Sequence, residues 1–397
     1  MKDIIIIANF CRDFSSNDNG RFMYLCKALS KRNEVEIVTS DFSHSMKRHK
    51  EAIKETWPFK ITFLHEPGYK RNVSISRFKS HYNWGKEVDK YLSSRKKPDV
   101  VYCAVPSLTA AKKTAKYCHK YNIKFIIDIQ DLWPEAFKMV FNTPIISDIT
   151  FMPFEKTANY IYKSADEIFA VSDTYMERAL NVNRKCKKGY TVFLGTDLNA
   201  FDLNCRIVKP YLSKEQNEIW IGYCGSLSYS YDIKSIIDAI SILLDKSQKT
   251  IKFIVMGEGV QKAEFEEYAK KKRIDSYFLG KLEYPKMCST LSQCDIVVNP
   301  IKKNSAASII NKHGDYAASG KPVINTQESS EYRNLIDKYK MGFNCRNGDS
   351  LDIASKLNVL LCDDDLKKTM GYNARVCAEE KFNREKTYKV IIEKIEE

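Results

Sequence analysis

Residues 308–324 read Ser308-Ile309-Ile310-Asn311-Lys312-His313-Gly314-Asp315-Tyr316-Ala317-Ala318-Ser319-Gly320-Lys321-Pro322-Val323-Ile324. The first part has helical character and stops at Gly320, the residue type best suited to closing a helix. Lys321 and Pro322 then lead into a short apolar strand run, Pro322–Asn325. The same alternation runs outward. Upstream lie the strand candidates Ile219–Cys224, Lys252–Met256, Ser276–Leu279 and Ile296–Asn299. The first half adds Ile4–Ala8, Val35–Thr39, Lys60–Leu64, Val100–Ala104, Lys124–Ile129, Glu167–Val171 and Tyr190–Leu194. Helical patterns such as Phe22–Lys31, Arg77–Ser93, Leu108–Tyr121 and Phe154–Ser164 separate them. Strands that are apolar on both faces, with helices between, predict parallel sheets covered on both sides.

Periodicity weakens from Asp202 to Asn217, with Pro210 in the middle, as a linker would read. The expected fold class is therefore α/β, with two Rossmann-like domains facing a cleft. The first domain is expected over 1–202, a linker over 203–217, the second domain over 218–375, and a helix over 376–397. At roughly 100–200 residues per domain, 397 residues suit two domains. No apolar run approaches the ~20 residues of a membrane span. The opening Ile4–Ile7 run lacks a signal-peptide cleavage pattern, so a cytoplasmic location is expected.

The twelve cysteines form no C-x-x-C pair and read as small buried hydrophobes, not metal ligands. The net charge is +14, unevenly spread. Residues 44–97 hold fourteen Lys and Arg against five Asp and Glu, interleaved with Trp57, Phe59, Phe63, Tyr69, Phe78, Tyr82 and Trp84. Such a segment suits an anionic membrane surface. It equally suits a solvated helix face over a core-facing aromatic stripe. RNA is the third reading, but no RRM, KH or zinc-knuckle signature accompanies it, and no nucleic-acid partner is expected.

Ligands of doubly wound folds bind at the carboxyl ends of strands, so four loops carry the chemistry. The first, Ser15-Ser16-Asn17-Asp18-Asn19-Gly20-Arg21, opens a helix, where free N–H groups favour anions, or else is a turn and N-cap. It is not G-x-G-x-x-G. The second, Tyr223-Cys224-Gly225-Ser226-Leu227-Ser228-Tyr229-Ser230-Tyr231-Asp232, again sets glycine before hydroxyls. The third is Met256-Gly257-Glu258-Gly259, either a tight turn or a ligand contact. In the fourth, Lys312 and Asp315 share a helix face. The lysine suits a diphosphate, and the carboxylate suits two ribose hydroxyls. A surface ion pair between the two is the plainer alternative.

These residues resemble the E/D-Y-x-A-x-G-K-P-V-I signature of glycosyltransferase family 4. Gly257-Glu258-Gly259, Phe278-Leu279-Gly280, the run from Cys294 to Pro300 and Leu194-Gly195-Thr196-Asp197 are similar to other landmarks of that family, in order. Asp128-Ile129-Gln130-Asp131-Leu132-Trp133-Pro134-Glu135 resembles a run in the branch that builds bacterial capsule and O-antigen, including aminodeoxyhexose transferases. The resemblance implies the GT-B fold, with the C-terminal helix crossing back to the first domain. It implies a retaining, metal-independent transfer from a nucleotide-sugar, taken as a UDP-sugar, with no cofactor. Asp315 falls on the ribose-binding position. Ala307 replaces a glutamate over the donor sugar, and Ser226 and Tyr231 replace the Arg and Lys that grip the diphosphate. Lys312 is expected to take over that charge. Gly20, Gly225, Ser226, Ser228, Gly257, Gly259 and Leu282 complete the expected donor site, with the base near Lys281 and Leu282. Asp131 is expected to touch the donor sugar or the acceptor hydroxyl, or else to cap the following helix.

The acceptor is expected to be anionic and membrane-held, such as a polyprenyl-diphosphate-linked glycan. Arg77, Lys79 and His81 would meet it or the inner face of the plasma membrane. Asp363-Asp364-Asp365 matches a metal-binding D-x-D pattern but precedes a helix, so it reads as an N-cap and no metal is assigned. Two rival classes stay open: a nucleotide-sugar-binding protein without turnover, suggested by Ala307, and a sugar-nucleotide epimerase, which would need no acceptor.

Overall fold

The computed structural model describes residues 1–15, 19–51, 53, 55–72, 74–138, 144–244, 249–303, 305 and 309–397. The chain forms two compact units. One is Met1–Phe193 with Tyr388–Glu397; the other is Leu194–Thr387.

The first unit contains β1 (Asp3–Ile7), β2 (Glu34–Ser40), β3 (Phe42–Ser43), β4 (Arg48–His49), β5 (Lys60–Leu64), β6 (Val100–Val105), β7 (Lys124–Ile129), β8 (Glu167–Ala170) and β9 (Tyr190–Thr191). Its sheet runs β5-β2-β1-β6-β7-β8-β9, parallel throughout. Side chains alternate across a strand, and here both faces are buried. Ile5 and Ile7 enter one core with Val101, Cys103 and Ile127. Ile4 and Ile6 enter the other with Tyr102, Ile126 and Phe169. That is why four successive isoleucines form a strand.

The helix Ile75–Ser94 starts at Ser74, whose hydroxyl accepts from the Arg77 N–H at 3.3 Å. Ser80, His81, Trp84, Gly85, Val88 and Leu92 form its buried stripe. Gly85 permits close packing on the next helix: a Cβ there would lie 2.7 Å from the Thr109 methyl. The short antiparallel hairpin β3–β4, not expected from sequence, straddles the start of the basic segment.

The second unit contains β10 (Glu218–Cys224), β11 (Thr250–Met256), β12 (Asp275–Phe278), β13 (Ile296–Asn299), β14 (Val323–Asn325) and β15 (Gly342–Asn344). Its sheet runs β12-β11-β10-β13-β14-β15, again parallel. The strand order reverses at β1/β6 in one unit and β10/β13 in the other, the place where such sheets bind ligands.

The division differs from the expected boundaries. Residue 202 falls inside the helix Leu198–Ile207, which belongs with the second unit, as do residues 203–217. That helix buries only Leu198 and Phe201, too short a stripe to register as periodic. Arg375 fastens it through two 2.7 Å hydrogen bonds to Asp202. The terminal stretch is also not one helix. It breaks at Asn383, beside Thr196, and the second unit keeps it through Thr387. Only Tyr388–Glu397 joins the first unit, where Tyr388, Ile391 and Ile395 are buried in the core of Ile4 and Ile6.

Candidate functional site

In the second unit the loop after β10 packs against the loop after β11 with no room for side chains. A Cβ on Gly257 would overlap the Gly225 carbonyl oxygen, and one on Gly259 would overlap that of Leu227. The Leu227 N–H donates to Glu258 O at 2.9 Å, and the Gln261 N–H to Leu227 O at 3.0 Å. Gly257 and Gly259 thus hold the Gly225–Ser228 loop in place. Their glycine requirement comes from the close approach of the neighbouring loop's backbone, and neither has a positive φ.

Lys312 lies in the first turn of the helix Asn311–Ala318 and is only 8% exposed. Its ammonium stands 4.5 Å from the centre of the Tyr223 ring and 4.2 Å from that of Tyr231. It makes no hydrogen bond to the described residues, and a Cβ on Gly225 would sit 3.3 Å from it. Burial pushes its pKa down to about 7. A cation held by two ring faces and the edge of a glycine loop is placed to meet an anion. Tyr223 Oη donates to Ser226 O at 2.6 Å, and the Cys224 N–H donates to Tyr316 Oη at 2.8 Å, fixing both ends of the loop.

Asp315 has other partners than Lys312, so the expected alternative of a mutual ion pair is replaced. Its Oδ1 accepts from Thr196 Oγ1 and from Tyr284 Oη, each at 2.9 Å. A carboxylate has further acceptor capacity for a diol. Ser226 is exposed, Ser228 half-buried, and Leu282 lies half-buried just before the helix Tyr284–Ser292. Ala307 is outside the described residues. Asp363 does cap a helix, accepting from the Leu366 N–H at 2.8 Å.

In the first unit, Gly20 is the N-cap of the helix Arg21–Leu29 and has ordinary extended backbone angles. Its neighbour Arg21 is buried and forms a bidentate pair with Asp128, at 2.7 and 3.1 Å. Asp131 accepts from the Trp133 indole N–H at 3.1 Å, and burial raises its pKa.

Arg77, Lys79 and His81 do not form one surface, because positions 77 and 81 share a helix face and 79 does not. His81 is 4% exposed and Arg77 stacks 4.6 Å over the Trp133 ring, both facing inward. Lys79 is exposed and falls on the face of Ile75, Tyr82, Lys86 and Lys90. Among the described residues, Asp41, His49 and His65 present ligand atoms within 4.8 Å of one another. Both imidazoles there pair with Asp41 Oδ2, at 3.3 and 2.9 Å.

The sequence reading quoted Tyr223 and Thr196 within its loops and landmarks without giving either a role, counted Tyr231 only as a lost cation, and missed Tyr284. A tyrosine two residues before the loop glycine was the available signal.

Residues 207–376 match the family model described as Glycosyl transferases group 1. The capsular polysaccharide biosynthesis glycosyltransferase CapM of Staphylococcus aureus is 23% identical over 55% of this chain and 58% of its own length. The chain thus spans less than two thirds of the curated relatives it matches. Sucrose-phosphate synthase from Thermosynechococcus elongatus superposes with a TM-score of 0.76 at 15% identity, covering 100% of this chain and 98% of that one. Anabaena HepE, in complex with UDP and glucose, superposes with a TM-score of 0.69 at 15% identity over 100% of both chains. The chain carries the GT-B fold of two successive Rossmann-like domains, and its residues 207–376 match the group 1 glycosyl transferases.

Proposed function

We propose that the chain is a retaining, metal-independent glycosyltransferase that moves a sugar from a UDP-sugar to a membrane-linked glycan acceptor in bacterial surface polysaccharide synthesis. The observation that carries the reading is the buried Lys312 ammonium, without a hydrogen bond among the described residues, against the Gly225 loop. A diphosphate is the ligand chemistry that completes it. As the donor breaks, Lys312 and the loop N–H groups stabilise charge on the departing diphosphate. Asp315 holds the ribose, and Asp131 meets the donor sugar or the acceptor hydroxyl. The group 1 match over 207–376 and the UDP in HepE support the donor class, and CapM supports the pathway.

The membrane reading rests on the helix Ile75–Ser94, whose outer face presents Ile75, Lys79, Tyr82, Lys86 and Lys90 to solvent. Apolar groups flanked by lysines suit an anionic lipid surface at the inner leaflet. No helix among the described residues is long and apolar enough to cross a membrane. Flotation with phosphatidylglycerol vesicles should be salt-sensitive and fail when Lys79, Lys86 and Lys90 become Glu. Equal flotation would remove this face from the reading.

The first experiment is a thermal-shift panel of UDP, GDP, ADP and dTDP, with and without EDTA, on wild type and Asp315→Ala. At a hundredfold excess over Kd a binder adds about 2.7 kcal/mol. One nucleotide stabilising wild type but not the variant supports the donor site. No shift with any nucleotide favours the non-catalytic alternative.

A further inference from the structure

The carboxyl ends of β1, β2, β5 and β7 converge on a second group of side chains, none of them used by the donor site. His81 lies at its centre. Its ring centroid is 5.4 Å from that of Phe10, 5.8 Å from Tyr69 and 5.3 Å from Trp133. Arg77 lies over the same three rings, 4.6 Å from Trp133, 5.6 Å from Tyr69 and 5.9 Å from Phe10. Lys47, from the β3–β4 hairpin, stands 4.6 Å from the Tyr69 ring centre and 3.4 Å from His44 Nδ1.

A buried imidazole ordinarily spends its nitrogens on hydrogen bonds. Both ring nitrogens of His81 are buried and neither has a hydrogen-bond partner among the described residues. Two carboxylates stand near the cluster and act electrostatically on Arg77, and neither hydrogen-bonds to His81 among the described residues. Glu66 is committed to Asn9 at 2.9 Å and Ser80 at 2.8 Å, and Asp131 to the Trp133 indole. Two cations and two imidazoles share this aromatic-walled space: Arg77 donates to the Asn72 carbonyl at 2.9 Å, Lys47 to the Asn72 side-chain oxygen, and His44 Nδ1 pairs with Tyr69 Oη, while His81 has no such bond among the described residues.

We propose that Lys47, Arg77, His44 and His81 form a subsite for a phosphate or diphosphate group of the acceptor substrate, with the surrounding rings packing on the chain or sugar beside it. The word acceptor rests on the glycosyltransferase reading; the anion subsite does not. A tetrahedral dianion offers several oxygens to donors arriving from separate segments. It also reverses the local electrostatics. Burial first, then the neighbouring Arg77 and Lys47, hold His44 and His81 down to about 3. Burial and Arg77 likewise hold Lys47 down to about 8. A bound dianion raises all three, so protons are taken up on binding.

The test is calorimetric titration of the full chain with inorganic pyrophosphate, for wild type, Arg77→Met, Lys47→Gln and Lys312→Ala. Arg77→Met and Lys47→Gln should each weaken one pyrophosphate site at least tenfold, while Lys312→Ala leaves that site intact. Lys47 is on the hairpin, so its variant keeps the test decisive if Arg77→Met fails to fold. The His81 imidazole NMR titration should move upward in pyrophosphate, which a purely structural histidine would not do. Farnesyl diphosphate binding at least tenfold tighter than pyrophosphate assigns a lipid-linked source; equal affinity assigns a water-soluble phosphate. Unchanged affinity in both Arg77→Met and Lys47→Gln, or loss in Lys312→Ala alone, overturns the subsite. Nucleotide binding in Lys312→Ala is a separate readout, so either proposal can fail alone.

Discussion

Lys312 Nζ stands 4.2 Å from the centre of the Tyr231 ring, where family resemblance had placed a lost cation at Tyr231. The charge comes from the neighbouring helix, and the tyrosine supplies a ring face to hold it. Its pKa of about 7 is set by burial, with Cys224 opposing weakly. Binding a diphosphate requires the ammonium form. Donor affinity should therefore be flat below pH 7 and fall above it, by up to about tenfold per pH unit, until the raised pKa of the complex is reached. A UDP-sugar, whose diphosphate diester does not titrate in this range, is the probe. Lys312→Met should lower affinity roughly 10–100-fold and remove the slope. A slope that survives in Lys312→Met assigns it to another group. For folding the sign is opposite. The unfolded lysine binds its proton up to about pH 10.4, so this group's contribution to stability rises with pH from about 7 to that value.

Gly257→Ala should distort the donor loop without touching a ligand. The added methyl meets the Gly225 carbonyl oxygen, which must move. Overpacking of this kind costs about 1–3 kcal/mol, or roughly 2–12 °C in melting temperature for a domain of this size. Scanning calorimetry with nucleotide titration should show both values fall. An unchanged melting curve would mean that the loops separate freely.

Asp131→Asn should cut turnover by more than about tenfold while leaving nucleotide affinity unchanged, since a positioned carboxylate contributes in the transition state. The substitution retains an acceptor oxygen for the Trp133 indole N–H, now at 3.1 Å. A steady-state split of kcat against KM for donor checks it. Unaltered kcat would leave Asp131 with the indole alone.

Tyr388→Ala should destabilise the first unit. The ring is fully buried, 4.8 Å beneath the Arg21 guanidinium and edge-on to Tyr24 at 5.5 Å. Loss of a buried aromatic costs about 3–5 kcal/mol. Urea unfolding should show the loss, and donor affinity of the second unit should persist at low denaturant.

The parallel sheets were legible because Ile4–Ile7 and Val100–Val105 are apolar on both faces, a pattern that few other structures satisfy. The hairpin β3–β4 was not, since each strand has two residues and Arg48 and His49 are exposed. β15 was missed because Gly342-Phe343-Asn344 is only half-buried. Lys312 was legible from its place before Asp315. The rings beneath it were not, because Tyr223 and Tyr231 are some eighty residues upstream and only the β10–β13–β14 pairing brings them together. Likewise Arg77 and His81 stood out as charges in a basic segment, while their inward direction followed only from the helix phase set by Trp84 and Val88.

The first unit is closed by Tyr388, Ile391 and Ile395, although 194–387 intervene. That spacing dictates an order of assembly during synthesis. At about 5–20 residues per second, ribosomes need roughly 10–40 s to pass the intervening stretch. Throughout that interval the core of Ile4 and Ile6 is covered by Phe22, Met23 and Leu25 but lacks Tyr388, Ile391 and Ile395. The second unit emerges whole and can finish first. The half made earliest is thus completed last, with part of its apolar core open until the final helix arrives.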